Sequence, residues 1–181
     1  LQWDQPTALE YIRELRDTFV DLVLANTTDE MGDELIEGYA RFIGPNTLEA
    51  VDQTIEAGSI VIATGARSIV PPAWQSALGE RILTVETLFE QERLPASVAV
   101  IGLGPIGVEM GQVLSRLGVR VIGIESGTTI ARMPDPVVSQ AAVEALRREF
   151  PVWLGEQAQV APQGDQVAVR AGPNQAVVDR V

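Results

Sequence analysis

A glycine-rich turn between a buried strand and a helix constrains the fold of this chain more than any other feature. Ser97–Ile101 is a short apolar run rich in Val and Ile, which predicts a strand buried on both faces. The turn is Gly102-Leu103-Gly104-Pro105-Ile106-Gly107, and apolar residues at helical spacing then predict a helix over Pro105–Leu117, ended by Gly118. Val119–Ile124 is the next predicted strand. This order of elements is typical of an α/β sheet.

The three glycines match the G-x-G-x-x-G pattern of dinucleotide-binding folds, in the strand-to-helix context that the pattern requires. We expect Gly102 to allow the tight turn, Gly104 to let the backbone approach a pyrophosphate, and Gly107 to let the helix pack closely on the strand. Pro105 and Ile106 open the helix, whose first N–H groups and positive dipole end would face the phosphates, so they belong to the same predicted site. The alternative is a glycine-rich turn that binds no ligand.

An acidic residue ends the second strand of this unit. Glu125 lies 23 residues after Gly102, where an acid accepts hydrogen bonds from the hydroxyls of an adenosine ribose. It would also repel the 2′-phosphate of NADP, and no Arg follows it before Arg132, so the sequence predicts NAD(H) in preference to NADP(H). Ser126, the next residue, is included in the predicted cofactor site. A solvated surface glutamate is the alternative interpretation of Glu125.

Two residues on the predicted helix admit a packing or electrostatic explanation. Glu109 lies two residues past Gly107, near the end of the helix that would face the ligand. Its spacing fits equally well an acid that compensates the helix dipole from the first turn and an acid with a function at the site. Gly111 extends the row of small residues by one turn, and we interpret it as a packing residue.

The residues after this unit predict a second helix and a small antiparallel ribbon. Asp135-Pro136 has the form of a helix start, and the helix is expected to continue to about Phe150. Its expected buried side carries Val138, Ala142, Ala145 and Leu146. Gln163-Gly164-Asp165 is a candidate hairpin turn. The predicted tail strands are Val152–Leu154, Gln157–Val160, Gln166–Arg170 and Ala176–Val181. The predicted fold is a Rossmann-like dinucleotide-binding domain with a small antiparallel β excursion.

The N-terminal part of the chain begins with a predicted amphipathic helix over about Thr7–Ala25, with Asp4 or Thr7 as its cap. One face of this helix is expected to be buried, and its apolar positions are Leu9, Ile12, Leu15, Phe19, Leu22 and Val23. Thr28–Glu34 is expected to be a loop or frayed turn. Two segments of strand character follow, Leu35–Ile43 and Leu48–Val51, separated by a Gly-Pro-Asn-Thr turn.

A second buried strand is predicted at Ser59–Ala63, a nearly continuous apolar run that should be covered on both faces. It ends in Thr64-Gly65, and the residues from Pro71 to Ala77 are expected to cross between two domains. We therefore predict a division of the chain into residues 1–72 and residues 73–181.

Composition excludes several kinds of chemistry. The 181 residues include no Cys, no His and no Lys, which rules out a thiolate nucleophile, a redox disulfide and His- or Cys-ligated metal within this chain. The net charge of −12 disfavours nucleic acid and anionic membranes as partners. No apolar run has the length of a membrane span, so a cytoplasmic location is the default expectation.

Two longer stretches resemble the flavoprotein disulfide reductases, and among them the dihydrolipoamide dehydrogenases. They are SIVIATGARSIVPP at Ser59–Pro72 and SVAVIGLGPIGVEMGQVLSRLGVRVIGIE at Ser97–Glu125. The order and spacing of the two motifs match that family, and the likeness extends over essentially the whole chain. Members of the family combine an FAD domain, an NAD domain and a dimerisation domain. They pass electrons between a dithiol/disulfide pair, the flavin and a nicotinamide.

The resemblance implies roles for particular residues of this chain. Ala63-Thr64-Gly65 would lie at the end of an FAD-domain strand, beside the flavin. Gly102 to Gly107 would bind the pyrophosphate of NAD, and Glu125 would bind the adenosine ribose. Glu109 matches an acid of the family that lies near the nicotinamide carboxamide and the flavin, which favours the functional interpretation of this residue.

Three features of the family are missing from the chain: the first glycine fingerprint for FAD, the CxxxxC redox pair and the C-terminal His-Glu base. The chain also begins at Leu1 and not at Met. We therefore expect a middle piece of a longer homodimeric enzyme, inactive by itself. In that case residues 1–72 belong to its FAD domain, with Ser59–Ala63 lacking neighbouring strands, and residues 73–181 form most of its NAD domain. The alternative is a stand-alone NAD-binding sensor or regulatory module without electron transfer.

Overall fold

The computed structural model describes residues 5–181, which fall into two units of tertiary contact. The small unit is Ile12–Arg67, and the large unit comprises the residues up to Tyr11 together with Ser68–Val181. Asp4, one of the two predicted helix caps, lies outside the described residues. The predicted domain boundary between residues 72 and 73 stays a prediction.

The first helix, α1 (Gln5–Ala25), confirms the predicted helix, but Thr7 lies inside it and is not its cap. The expectation of one buried face is wrong for most of its length. Leu9 is 1% exposed, whereas the apolar positions further along are open to solvent. Those exposed side chains are Leu15, Phe19, Leu22 and Val23. Helical spacing shows which side chains share a face, but burial also requires another element to cover that face.

The rest of the small unit is short helical segments and a three-stranded antiparallel sheet. The predicted loop or frayed turn at Thr28–Glu34 is a single helical turn, α2 (Thr28–Met31), followed by a 3₁₀ turn at Gly32–Glu34. The sheet consists of β1 (Ala40–Gly44), β2 (Thr47–Ala50) and β3 (Gln53–Glu56), in that order. Gly44 pairs with Thr47, which confirms the predicted turn between them.

Two strand predictions in this unit need correction. The first predicted strand began at Leu35, whereas β1 begins only at Ala40. Ser59–Ala63 forms no strand, and it is not buried: Val61 is 90% exposed and Ile62 is 70% exposed. A β-branched run is buried on both faces only between neighbouring strands and covering layers, and within residues 5–181 no strand pairs with it.

Two short helices open the main part of the large unit. The first is α3 (Pro72–Leu78), which includes most of the residues expected to cross between two domains, and that crossing stays a prediction. Leu78 of α3 is 2% exposed and belongs to a buried apolar cluster that also contains Ile122 and Val167. Trp74 of the same helix packs against this cluster. The next helix is α4 (Val85–Leu88), which contributes the buried Leu88.

The centre of the large unit is a parallel sheet that confirms the predicted α/β unit. Its elements along the chain are β4 (Ser97–Ile101), α5 (Pro105–Arg116), β5 (Arg120–Glu125), α6 (Pro136–Leu146) and β6 (Val152–Leu154). The strands lie in the order β4-β5-β6, and Val98 forms a parallel bridge with Arg180 on the other side of β4. The carboxyl end of β4 therefore lies beside that of β5, where nucleotide sites form in such sheets.

An antiparallel sheet packs on the parallel one and confirms the predicted β excursion. It consists of β7 (Gln159–Gln163), β8 (Gln166–Ala171) and β9 (Asn174–Val178). Gln163 pairs with Gln166 across Gly164-Asp165, which confirms the predicted hairpin turn. Because side chains alternate along a strand, Val121 of β5 packs with the helices while Ile122 packs with β8 and β9. The unit therefore has three layers.

Helix α6 confirms its predicted start and part of its predicted buried side, Ala142 and Leu146, but it ends earlier than predicted. Asp135 caps it by accepting hydrogen bonds from the N–H groups of Val137 and Val138, and the helix ends at Leu146. Its buried residues are Ser139, Val143 and Leu146, whereas Val138 is 55% exposed and Ala145 is exposed.

Candidate functional site

The glycine-rich turn joins β4 to α5 in the geometry that its sequence predicts. Gly102 has a φ of +93°, a conformation that residues with a side chain rarely adopt. A Cβ atom on Gly107 would overlap the carbonyl oxygen of Gly102, so only glycine lets the helix approach the strand this closely. A Cβ on Gly104 would have no protein atom within 4 Å, so the space in front of this residue is open.

The first turn of α5 borders this open space. Gly104 is the N-cap residue and Pro105 the first helical residue, and Ile106 is 58% exposed. The first N–H groups of any α-helix have no acceptor within the helix, and together with the helix dipole they favour a bound anion. An exposed start of α5, preceded by a residue without a side chain, leaves room for a phosphate group to approach the backbone.

Glu125 ends β5 beside this turn, and both of its carboxylate oxygens accept hydrogen bonds. Oε2 accepts from the main-chain N–H of Leu103 at 2.8 Å, and Oε1 accepts from the N–H of Gly127 at 3.0 Å. The hydroxyl of Ser126 also donates to Oε1, at 3.2 Å. Partial burial disfavours the charge of this group, but the hydrogen bonds from Gly127, Leu103 and Ser126 outweigh it and hold the pKa of Glu125 below its ordinary value.

The structure thus brings the predicted glycines, Glu125 and Ser126 to one edge of the parallel sheet. It also shows contacts that sequence reasoning missed. The carbonyl oxygen of Leu103 accepts a hydrogen bond from the N–H of Ala131 at 2.7 Å. The N–H of Gly155, after β6, donates to the carbonyl oxygens of Glu125 and Gly127 at 3.0 and 2.9 Å. These are main-chain contacts, for which no side-chain pattern provides a signal.

Glu109 lies on the exposed surface of α5, beyond its first turn, which contains no acidic residue. The dipole-compensating interpretation placed the acid in that first turn, where the dipole effect is concentrated, so this interpretation is wrong. The functional interpretation stays a prediction.

Gly111 confirms the packing interpretation. A Cβ at this position would lie 2.7 Å from Cζ of Phe150, which is buried in the core. The glycine allows the aromatic ring to lie directly against the helix backbone.

Ala63, Thr64 and Gly65 belong to the small unit, form neither helix nor strand, and are all exposed. Gly65 has a φ of +73°. The flavin-side role of this segment stays a prediction.

Within residues 5–181, no cluster of three or more acidic side chains is placed to hold a metal ion. Among the same residues, none of the helices has the length and apolar character needed to cross a membrane.

The comparison with protein families decides the classification of the chain. The model of the pyridine nucleotide-disulphide oxidoreductases matches residues 6–180. The chain belongs to this family. Proteins of the family use FAD and a pyridine nucleotide, and the geometry of the glycine-rich turn fits the second of these cofactors.

Individual relatives agree with this assignment. A mercuric reductase from Bacillus cereus is 37% identical over 125 residues, which is 68% of this chain and 20% of the relative. A soluble pyridine nucleotide transhydrogenase from Mycobacterium bovis is 33% identical over 120 residues, 63% of this chain and 25% of the relative. The matched part of the chain thus covers a quarter or less of the length of these curated relatives.

Solved structures show the same fold. The flavoprotein disulfide reductase RclA from Escherichia coli, in a Cu(II) complex, matches with a TM-score of 0.77 at 23% identity. The match covers 99% of this chain and 42% of RclA. At this level of identity the similarity supports the shared fold and leaves the activity to be argued from the site.

Proposed function

We propose that the large unit binds NAD(H) at the glycine-rich turn. The observation that carries the proposal is the contrast between two glycines of one motif. Gly107 is closed against Gly102 for packing, whereas Gly104 faces open space at the start of α5. Packing alone requires a glycine at 107 and gives no reason for a glycine at 104. A pyrophosphate that approaches the backbone at the start of a closely packed helix requires both.

We also propose that the site prefers NAD(H) to NADP(H). Like any glutamate at neutral pH, Glu125 is ionised, and its hydrogen bonds keep it so despite partial burial, so a 2′-phosphate beside it would meet a full negative charge. The ribose hydroxyls of NAD(H) can instead donate to this carboxylate, since each carboxylate oxygen accepts more than one hydrogen bond.

In the complete enzyme, we propose, this unit is the nucleotide-binding part of a flavin-dependent disulfide oxidoreductase similar to dihydrolipoamide dehydrogenase. The family membership and the order of the two sequence motifs support this role. Ala63-Thr64-Gly65 would contribute to the flavin side and Glu109 would lie near the nicotinamide. The bound nicotinamide supplies the hydride chemistry, and the residues of this chain bind and orient it. The resemblance implies a homodimer, and we propose that the enzyme is cytoplasmic.

The site can be located by adding NADH to the ¹⁵N-labelled 181-residue chain and following its amide resonances. The expected result is that the largest shifts occur at Gly104, Ile106, Gly107 and Ser126. Shifts confined to other parts of the chain, or none at millimolar NADH, would contradict the proposal. The wider enzymatic role is tested by the gene that encodes the chain. A CxxxxC pair encoded upstream of Leu1 is expected, and its absence argues against a disulfide oxidoreductase.

A further inference from the structure

The main chain of Leu103 is held on both sides by the segment that follows β5. Its N–H donates to Oε2 of Glu125 at 2.8 Å, and its carbonyl oxygen accepts from the N–H of Ala131 at 2.7 Å. Its side chain is fully buried in the core that α5 and α6 cover. Leu103 therefore has little freedom to move, and it is the residue directly before Gly104.

The segment that contains Ala131, whose N–H bonds Leu103, is itself fixed. Ile130 is 1% exposed and anchors the segment in the core. Ala131 and Arg132 follow with φ angles of 51° and 56°, a left-handed conformation that is unfavourable for residues with a side chain. Such a conformation persists only where the surrounding structure imposes it. Here the buried Ile130 and the bond to Leu103 provide that constraint.

Glu125 is also fixed, in its case by hydrogen bonds to its side chain and its main chain. Its second oxygen accepts from the N–H of Gly127, and its own carbonyl oxygen accepts from the N–H of Gly155. The carboxylate is thus in place before any ribose arrives, and one of its oxygens already bonds the glycine-rich turn.

We infer that Glu125 is a positioning residue for the pyrophosphate loop as well as a ligand of the ribose. It acts by accepting from the N–H of the Gly102–Leu103 peptide, while the Ala131 N–H bonds the carbonyl oxygen of the next peptide, which leads into Gly104. This inference rests on the proposed function, because it assigns Glu125 a second task at the same site. A residue that only bound the ribose would leave the affinity for the rest of the dinucleotide unchanged.

Ribose binding and loop positioning by Glu125 can be distinguished by measuring the affinities of two proteins for two ligands. The proteins are the wild-type chain and Glu125→Ala, and the ligands are NADH and an analogue whose adenosine ribose lacks both hydroxyl groups. If Glu125 positions the loop, Glu125→Ala weakens binding of the analogue too, by about tenfold, which is the typical effect of losing a hydrogen bond to a charged group. An analogue that binds both proteins equally would overturn the inference. Glu92→Gln, an exposed acid elsewhere in the large unit, is the matched control.

A second measurement needs no ligand and uses the milder variant Glu125→Gln. Hydrogen exchange of the Leu103 amide should be about tenfold faster than in the wild type, because its charged acceptor has been replaced. Exchange of the Gly102 amide, which bonds the carbonyl oxygen of Ile124 at 2.8 Å, should not change. Equal protection of Leu103 in both proteins would overturn the positioning role. If the wild type failed to bind NADH, the proposed function would fail, and the exchange experiment would still decide whether Glu125 holds the loop.

Discussion

The carbonyl oxygen of Gly102 occupies the space that a side chain on Gly107 would need. The two residues lie at opposite ends of the glycine-rich turn, and their contact brings the first turn of α5 against the end of β4. The start of the helix is therefore held at the carboxyl edge of the parallel sheet, beside Glu125. Several consequences of this arrangement can be measured on the 181-residue chain.

Gly107→Ala should destabilise the chain by about 1–3 kcal/mol, because the new methyl group must displace the backbone of Gly102. Denaturant unfolding gives this free energy. The shift of the helix start should also weaken NADH binding. Unchanged stability would show that the helix can move away from the strand at little cost, which contradicts the packing role of this glycine.

Gly104→Ala should reduce NADH affinity without destabilising the fold. Its φ of −63° and ψ of −177° suit alanine, and the added Cβ meets no protein atom within 4 Å, so the free energy of unfolding should change by no more than about 0.5 kcal/mol. NADH affinity should nevertheless fall by tenfold or more, because the methyl group projects into the space left for the pyrophosphate. Gly58→Ala is the matched control, since its Cβ also meets no atom. Full NADH affinity in Gly104→Ala would contradict the proposed site.

Gly111→Ala should destabilise the chain through its contact with Phe150, whose Cζ would lie 2.7 Å from the new Cβ. Overpacking of this kind costs about 1–3 kcal/mol. In a Phe150→Leu background the alanine should cost less, because the ring is gone. A double-mutant cycle measured by thermal unfolding gives the coupling, and additive effects would show that the ring is not the obstacle.

Asp179 should make the stability of the large unit depend on acid pH. The hydrogen bond from Gln166 and those from the N–H and hydroxyl of Ser97 outweigh its partial burial and hold the pKa of Asp179 below its ordinary value of 3.8. Since this pKa is lowered on folding, the contribution is complete above the unfolded value and is lost as the pH falls through the folded value.

Asp179→Asn tests this dependence. At pH 7 it should lower the free energy of unfolding by about 1–2 kcal/mol, as expected for weakened hydrogen bonds to a charged acceptor. The difference from the wild type should shrink below pH 4, where the carboxylate becomes protonated first in the unfolded chain and then, at lower pH, in the folded one. A difference that stayed constant from pH 7 to pH 3 would show that the charge of Asp179 contributes nothing.

The glycine-rich unit was predictable because its signals are local. A short apolar run, a turn that needs glycine and a periodic helix determine Ser97–Ile101 and the start of α5 at Pro105, and the structure has both at the predicted residues. The exposed Val61 and the polar strand β3 were not predictable in this way, because burial and pairing depend on the elements that lie alongside.

The candidate site likewise has a part that the sequence predicts and a part that it does not. Its glycines and Glu125 have side-chain requirements that a sequence pattern can reveal. The bonds from Leu103 to Glu125 and Ala131 involve main-chain groups that every residue carries, and the left-handed conformation of Ala131 is not one its residue type favours. The positioning of the turn therefore becomes visible only in three dimensions.

Calorimetric titration of the wild-type 181-residue chain with NADH and with NADPH, under identical conditions, measures whether the chain binds a dinucleotide and which of the two it prefers. An open approach to Gly104 and an ionised Glu125 predict saturable one-to-one binding of NADH and at least tenfold weaker binding of NADPH. NADPH binding that equalled or exceeded that of NADH, or no binding of either nucleotide, would contradict the account.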